Sequence, residues 1–307
     1  MGMQTSFPNS PFSYGFGGRV VTGQSLYVSS TASNASNGNT GKSPRKPLAT
    51  LDYAVGLCNA NEGDVIYMMP GHVETVTAAG GLDLDVAGIS IIGIGNGSNR
   101  PTVNLTTATT ADVDVDAANI TIENILFTGG IDALAAPLDI NAADCTIRNC
   151  EFRDVTGQAT LGILTDANCN RFLLEGYRHD GAAAAGANAA VRIVGGDGIV
   201  IRDFWINGNF AVAAIENVTT AATNITIGGG RGSNYIWTQN AADVAVTLVS
   251  TSTGFVGPNI NAQLTDNAAN ITEAFVGAAA VFFQPINIVN LAGESSMQTN
   301  ITASTDA

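Results

Sequence analysis

Aspartates recur at equivalent positions in four short segments of the chain, LDLD, VDVD, LDIN and LTDA. Alternate residues of a β-strand point to the same face, so the sequence predicts two adjacent columns: one of Asp83, Asp114, Asp139 and Asp166, the other of Asp85, Asp116, Asn141 and Asn168. Oxygen clusters of this kind bind hard cations such as Ca²⁺. Stacked like charges are otherwise destabilising. The alternatives to a calcium site are therefore raised pKa values, a basic patch on a partner, or a solvated acidic face.

A second set of charged residues alternates in sign at one position of successive repeats: Glu123, Arg148, Glu175 and Arg202. The next position holds Asn124, Asn149, Gly176 and Asp203, residue types that suit a bend with left-handed backbone. We interpret the first set as a surface ladder of ion pairs, each worth only about 0–1 kcal/mol. Both sets are expected to be structural.

One histidine interrupts an otherwise apolar column, which reads Phe127, Phe152, His179 and Ile206. Two interpretations of His179 are open. Either the stretch Arg178-His179-Asp180 forms a loop that leaves the coil, or His179 is a catalytic residue. The sequence contains no Ser/His/Asp set, no HExxH motif and no P-loop. The GIGNGS segment at 93–98 lacks the lysine that a phosphate-binding loop requires.

These residues belong to a repeat of about 26 residues, the length expected of a solenoid coil. Its members share an apolar-x-apolar core, and their anchor residues are Ile89, Ile120, Cys145, Phe172, Ile199 and Ile225. Short β-rich runs separated by Gly, Asn and Asp turns fit one turn of a parallel β-helix, in which stacked coils bury a continuous core. The fold class predicted is all-β, a single-stranded parallel β-helix.

The chain before the repeat supports this fold. A loop rich in Ser, Asn and Gly precedes an amphipathic helix expected near residues 50–59, and a strand follows at 65–69. A helix in this place would cover the open apolar end of the solenoid. The order YVSS, GNTGKSPRKPLATLDYA and GDVIYMMPGHVETV resembles the opening of the pectate-lyase-like right-handed parallel β-helix superfamily. The resemblance covers roughly residues 25 to 230.

The resemblance implies a fold more than an activity, because the superfamily holds lyases, hydrolases, epimerases and non-enzymatic virion proteins. Its lyases combine Ca²⁺-binding aspartates with an arginine or lysine base, for which the candidates are Arg148, Arg171, Arg178 and Arg202. Its hydrolases use a pair of carboxylates. Carbohydrate clefts also offer exposed aromatic and basic residues, and this chain has two Trp and two Lys. An enzyme acting on a surface glycan is therefore the alternative to a structural protein.

Composition limits the partners. The chain of 307 residues carries 12 basic and 26 acidic side chains, a net charge of −14, so a nucleic-acid partner is not expected. No apolar run is long enough to span a membrane. The four cysteines lack metal-ligand spacing and are expected to be reduced core residues.

The expected organisation is an extended attachment arm over 1–24, a parallel β-helix over 25–235, and a C-terminal cap or oligomerisation region over 236–307. This plan resembles that of trimeric β-helix proteins of tailed bacteriophages. The resemblance implies a non-enzymatic homotrimer located in the virion, a decoration or spike subunit made in the host cytoplasm. The implied partners are other virion proteins, such as the major capsid protein, and a host glycan.

Overall fold

The computed structural model describes residues 13–14, 20–239, 244–264, 275–277, 280–284, 286–290 and 301–303. Three long parallel sheets run the length of this part of the chain, and consecutive strands are placed in each sheet in turn. Each strand therefore stacks on the equivalent strand of the preceding coil. The protein is a parallel β-helix, as the repeat predicted, and it is right-handed, as the resemblance implied.

Ten of the described strands form sheet 1, in this order: β3 (Ser25–Val28), β4 (Val65–Met68), β7 (Ser90–Gly93), β10 (Thr121–Glu123), β13 (Thr146–Arg148), β16 (Leu173–Glu175), β20 (Val200–Arg202), β24 (Ile225–Ile227), β27 (Thr253–Val256) and β30 (Ala280–Phe283).

Nine of the described strands form sheet 2: β5 (Val73–Val76), β8 (Thr102–Leu105), β11 (Leu126–Gly129), β14 (Glu151–Asp154), β17 (Arg178–Asp180), β21 (Trp205–Gly208), β25 (Asn234–Thr238), β28 (Ile260–Leu264) and β31 (Ile286–Asn290).

Nine more form sheet 3: β6 (Leu82–Asp83), β9 (Val113–Val115), β12 (Leu138–Ile140), β15 (Leu161–Thr165), β18 (Ala189–Ile193), β22 (Ala213–Asn217), β26 (Val244–Thr247), β29 (Phe275–Gly277) and β32 (Ile301–Ala303). Two small pairs complete the strands of the described part, β1 (Ser13–Tyr14) with β2 (Val20–Val21), and β19 (Gly196–Asp197) with β23 (Ala222–Thr223).

The core lies inside the coil and is built from the predicted anchors. All six anchor residues are fully buried: Ile89, Ile120, Cys145, Phe172, Ile199 and Ile225. The β10–β13 pairing places Ile122 opposite Ile147, so the anchors just before them are also aligned. Equivalent side chains of adjacent coils then stack about 4.8 Å apart. The alignment of the repeat made from the sequence therefore gives the correct register in sheet 1.

A short helix, α1 (Leu51–Val55), precedes the second strand of sheet 1. The Thr50 hydroxyl caps it by accepting a hydrogen bond from the Tyr53 amide at 3.4 Å. Its apolar side chains Leu51, Ala54 and Val55 are buried in the core. The helix is shorter than the predicted 50–59: its last residue is Val55, and Gly56 is its C-cap. One turn of 3₁₀-helix covers Gly97–Asn99. Within the residues described, no helix has the length and apolar character needed to cross a membrane.

The described strands beyond residue 235 stay in the same three sheets. Strand β27 pairs with β24 and β30 pairs with β27, in parallel throughout. The coil thus continues past the boundary expected at 235, although its sequence period is harder to recognise there. The assignment of 236–307 to assembly stays a prediction. Most of the predicted arm, residues 1–24, lies outside the described residues, apart from β1, β2 and the residues just after β2.

Candidate functional site

Three of the predicted aspartates lie in one column on the outside of sheet 3. Asp83 is opposite Asp114, and Asp114 is opposite Asp139, on adjacent parallel strands. Leu164 takes the next position in that column, where the sequence predicted Asp166. The prediction for Asp166 was wrong by two residues because the connection from β15 to β16 (166–172) is two residues longer than that from β12 to β13 (141–145).

Asp166 instead lies in the second column. Its amide donates a hydrogen bond to the Ile140 carbonyl oxygen at 2.9 Å, which puts it beside Asn141. The Asn141 side-chain amide donates to Asp116 Oδ1 at 2.8 Å. Asp85 is exposed and lies beside Asp116 when the β6–β9 register is continued by two residues. We call this surface the acidic face: Asp83, Asp85, Asp112, Asp114, Asp116, Asp139 and Asp166.

Burial and crowding make this face hard to ionise. Partial burial, followed by the charges of Asp112, Asp116 and Asp83, raises the pKa of Asp114 to about 6. Partial burial, followed by the charges of neighbouring aspartates, raises the pKa of Asp139 to about 6 as well. The pKa of Asp83 is also raised, with burial as its largest cause. Raised pKa values were one of the alternatives that the sequence left open, and they apply to these carboxyl groups.

Asp112 is a member of the face that the sequence reasoning missed. Its Oδ1 accepts a hydrogen bond from the Gly80 amide at 2.6 Å, and its pKa is raised chiefly by burial. The signal was present in the sequence, since Asp112 precedes Asp114 by two residues in ADVDVD. The period-2 pattern of a strand places both on the same side.

The acidic face gives the calcium prediction no geometric support. Among the residues that the structure describes, no group of three or more His, Cys, Asp or Glu side chains is arranged to hold a metal ion. The chemistry that the arrangement supports is proton uptake near pH 6, by Asp114 and Asp139.

The predicted ion-pair ladder lies on the outside of sheet 1. Glu123, Arg148, Glu175 and Arg202 are aligned on successive strands. Glu175 binds two arginines, with Arg148 Nε at 2.8 Å and Arg202 Nη2 at 3.1 Å from its carboxylate oxygens. These contacts confirm the ladder over three of its four members. Glu123 is in register with Arg148.

The bend that follows the ladder has the predicted left-handed backbone. The φ angles are 58° at Asn124, 52° at Asn149 and 55° at Asp203, and Gly176 has 68°. The Asn124 side-chain amide also donates to the carbonyl oxygens of Gly93 and Gly95, at 2.8 and 2.9 Å. Asparagine at this position therefore ends the strand and bonds to the coil below.

His179 is neither in a loop nor accessible. It lies in β17 between Phe152 and Ile206, is 2% exposed, and stacks on the Phe152 ring at 5.2 Å. Tyr177 Oη is 3.2 Å from His179 Nδ1. Burial lowers the pKa of the imidazole to about 3, so the ring is neutral in the fold. The loop excursion is therefore wrong, and the buried ring does not reach solvent as a catalytic base would.

The cysteines form no disulfide. Cys145, Cys150 and Cys169 are buried, and Cys58 is partly exposed. Burial raises the pKa of Cys58 and Cys169 to about 12 and that of Cys150 to about 11. The thiols are therefore protonated near neutral pH, as expected of core residues rather than nucleophiles.

The sequence reasoning also missed an arginine cluster on the outside of sheet 2. Glu151 is 6% exposed, and three arginines surround its carboxylate: Arg153 at 2.6 Å, Arg100 at 2.9 Å and Arg178 at 3.5 Å. Arg100 and Glu151 are 51 residues apart, so no local spacing connects them. The guanidinium carbon of Arg178 lies 4.3 Å from the centre of the Trp205 ring.

No protein-family model, curated protein or solved structure matches this chain. The parallel β-helix is consistent with the pectate-lyase-like superfamily that the N-terminal motifs resemble.

Proposed function

We propose that this protein is a non-enzymatic structural subunit of a bacteriophage virion, a decoration or spike protein that assembles as a homotrimer. The observation that supports self-association is an exposed pair of stacked phenylalanines on sheet 1, and the virion assignment rests on the resemblance to phage β-helix proteins. Phe255 and Phe282 lie opposite each other on β27 and β30, with ring centres 5.7 Å apart, and are 45% and 67% exposed.

The pair extends an outward column in which Ser90, Thr121 and Thr146 precede a mostly apolar stretch. In register below it lie Thr226, Val200 and Leu173. A groove of about 250 Å³ adjoins Phe255 and is lined by Val200, Thr226 and Pro258, among others. Contiguous apolar surface of this kind is typical of an interface. A second copy of the chain would bury the phenylalanines, and a threefold arrangement would close the contact.

The coil itself also favours a structural function. Both histidines are buried, with exposed fractions of 0% at His72 and 2% at His179. The three thiols of Cys58, Cys150 and Cys169 have pKa values of about 11 or higher. The imidazoles and three of the four thiols, side chains often used as general bases and nucleophiles, are thus placed in the core. Attachment through residues 1–24 to a capsid protein belongs to the same proposal and rests on the resemblance.

Association is tested by the mass of the purified protein in solution, measured by sedimentation equilibrium. We expect a trimer for the natural sequence and a monomer for Phe255→Ser with Phe282→Ser. Val155→Ser, at another exposed apolar residue (60% exposed), is the matched control and should leave the mass unchanged. A natural chain that stays monomeric at high concentration contradicts the trimer. The virion assignment is tested by the flanking genes, which should encode capsid and terminase proteins rather than enzymes of sugar metabolism.

The carbohydrate-active alternative has one observation in its favour, the exposed aromatic side chains beside the arginines of sheet 2. It requires cleavage of a glycan. Incubation with acidic and neutral polysaccharides, followed by an assay for new reducing ends or unsaturated sugars, separates this function from the structural one.

A further inference from the structure

The outer surface of sheet 2 carries aromatic and basic side chains on adjacent coils. One outward column runs Glu151, Arg178, Trp205 and Tyr235, and the neighbouring column runs Arg153, Asp180, Asn207 and Trp237. We call the group Arg153, Arg178, Trp205, Tyr235 and Trp237 the aromatic–arginine face. We propose that this face binds an oligosaccharide that carries acidic groups, without cleaving it.

The aromatic part offers a platform. Tyr235 and Trp237 are 47% and 39% exposed, although both are large apolar side chains. They are two residues apart in β25, so both project from the same side of the strand. Trp205 lies opposite Tyr235 one coil below, and stacked strands are about 4.8 Å apart. The C–H groups of a sugar ring pack well against the electron-rich faces of such side chains.

The arginines of the face carry more hydrogen-bond donors than the Glu151 carboxylate can accept. Glu151 is the shared partner of Arg100, Arg153 and Arg178. A carboxylate accepts about four hydrogen bonds, whereas each guanidinium group carries about five donors. Arg153 and Arg178 are 48% and 51% exposed at their side chains, so these donors reach solvent. Glu151 holds the arginines in place and leaves a local excess of positive charge.

This local excess contrasts with the charge of the whole chain. The whole chain has a net charge of −14. Asp180 offsets part of the positive charge, and its Oδ1 accepts a hydrogen bond from the Asn207 side-chain amide at 3.2 Å. Gln239 in turn donates to Asn207 Oδ1 at 2.7 Å. Asn207 is 8% exposed and both ends of its amide are engaged, so it fixes the Asp180 carboxylate in the column that runs from Arg153 to Trp237.

The stack of Arg178 on Trp205 joins the two parts. The guanidinium group, 4.3 Å from the ring centre, is oriented by the cation–π contact and by Glu151. Arginine in a fixed plane recognises a carboxylate or sulfate by two parallel hydrogen bonds. An acidic sugar could place its ring over Tyr235 or Trp237 and its anionic group on Arg178 or Arg153. The face is separate from the Phe255–Phe282 pair, which lies on sheet 1.

The test is titration of the purified full chain with oligomers of sialic acid and of galacturonic acid, followed by tryptophan fluorescence, with maltohexaose as the neutral comparison. We expect at least one acidic oligomer to bind and maltohexaose to bind about tenfold more weakly, a difference of one lost charged contact. Trp237→Ala and Arg153→Gln should each weaken binding by about tenfold or more. Phe282→Ser, on sheet 1, should bind like the natural chain.

The variants keep the test independent of folding and of assembly. Tyr235→Phe retains the ring and should keep most of the affinity, whereas Tyr235→Ala should lose it at an unchanged melting temperature. Absence of binding by every acidic oligomer at millimolar concentration overturns the proposal. So does equal affinity for maltohexaose, tighter binding of oligothymidylate, or a change of molecular mass in Trp237→Ala, which would make the face a subunit contact. The binding outcomes do not depend on the trimer or the virion assignment.

Discussion

Asp114 on β9 lies directly opposite Asp139 on β12, and the pKa of each carboxyl group is raised to about 6, with burial as the largest cause. Both groups bind protons more tightly in the folded chain than in the unfolded chain, where the pKa is about 3.9. The stability that they contribute is therefore fully present below about pH 4 and is lost as the pH rises through about 6.

Asp139→Asn should remove the part of this pH-dependent loss of stability that is due to Asp139. We expect the free energy of unfolding at pH 7.5 to rise by about 1–2 kcal/mol, after allowance for solvent screening. The dependence on pH between 4 and 6.5 should become shallower. Urea denaturation across this range measures both effects, with Glu62→Gln, at an exposed carboxylate away from the face, as the control. A variant that is less stable than the natural chain at pH 7.5 would contradict this account.

Tyr177 and His179 form a buried pair whose hydroxyl and imidazole groups depend on each other. His179→Phe fits the phenylalanine column but removes the partner of the Tyr177 hydroxyl, which should cost about 1–3 kcal/mol. Tyr177→Phe combined with His179→Phe should recover most of that loss. Thermal unfolding of the two single variants and the double variant gives the coupling energy, and additive effects would show that the hydrogen bond does not contribute.

The same pair predicts a pH effect of opposite sign to that of the acidic face. The pKa of His179 is lowered to about 3 by burial. The unfolded histidine titrates near 6.5, so stability is present above that pH and is lost as the pH falls toward 3. The double variant should lose less stability than the natural chain between pH 6.5 and pH 4. If the double variant and the natural chain lose the same stability as the pH falls, His179 is protonated in the fold.

The ladder centred on Glu175 should contribute a small, salt-dependent stabilisation. Glu175→Gln removes the carboxylate between Arg148 and Arg202, which are 36% and 38% exposed at their side chains. We expect a loss of about 0.5–1 kcal/mol at low salt and less in 1 M NaCl. Chemical denaturation at both salt concentrations is the measurement. A loss that is the same at both would assign the effect to packing instead of charge.

Asn149 tests the bend. Its φ of 52° is strained for most side chains but not for glycine. Asn149→Ala should destabilise the coil by about 1 kcal/mol, and Asn149→Gly should cost less. The comparison of the two variants in urea isolates the backbone effect from loss of the side chain. If alanine and glycine prove equivalent, the left-handed conformation is not what selects asparagine here.

Much of the fold follows from local pattern. The anchors Ile120 and Cys145, the ladder residues Arg148 and Glu175, and the bend at Asn149 were all placed correctly, because parallel stacking converts a constant repeat into fixed columns. The error at Asp166 arose where the repeat changes length. The two extra residues lie between β15 and β16, so counting back from the anchor Phe172 misplaces the residues before the connection, and sequence spacing alone does not show where the extra residues lie.

The sequence by itself determined the parallel coil, its period and the column of Asp83, Asp114 and Asp139, since each depends on short-range periodicity. Only the tertiary structure decided how deeply each charge is buried and which distant residues meet. It brings Arg100 to Glu151 and stacks Arg178 on Trp205. It also withdraws His179 from solvent and exposes Tyr235, Trp237, Phe255 and Phe282. Burial and contact between coils depend on how the three sheets fold around one core, and no single repeat encodes them.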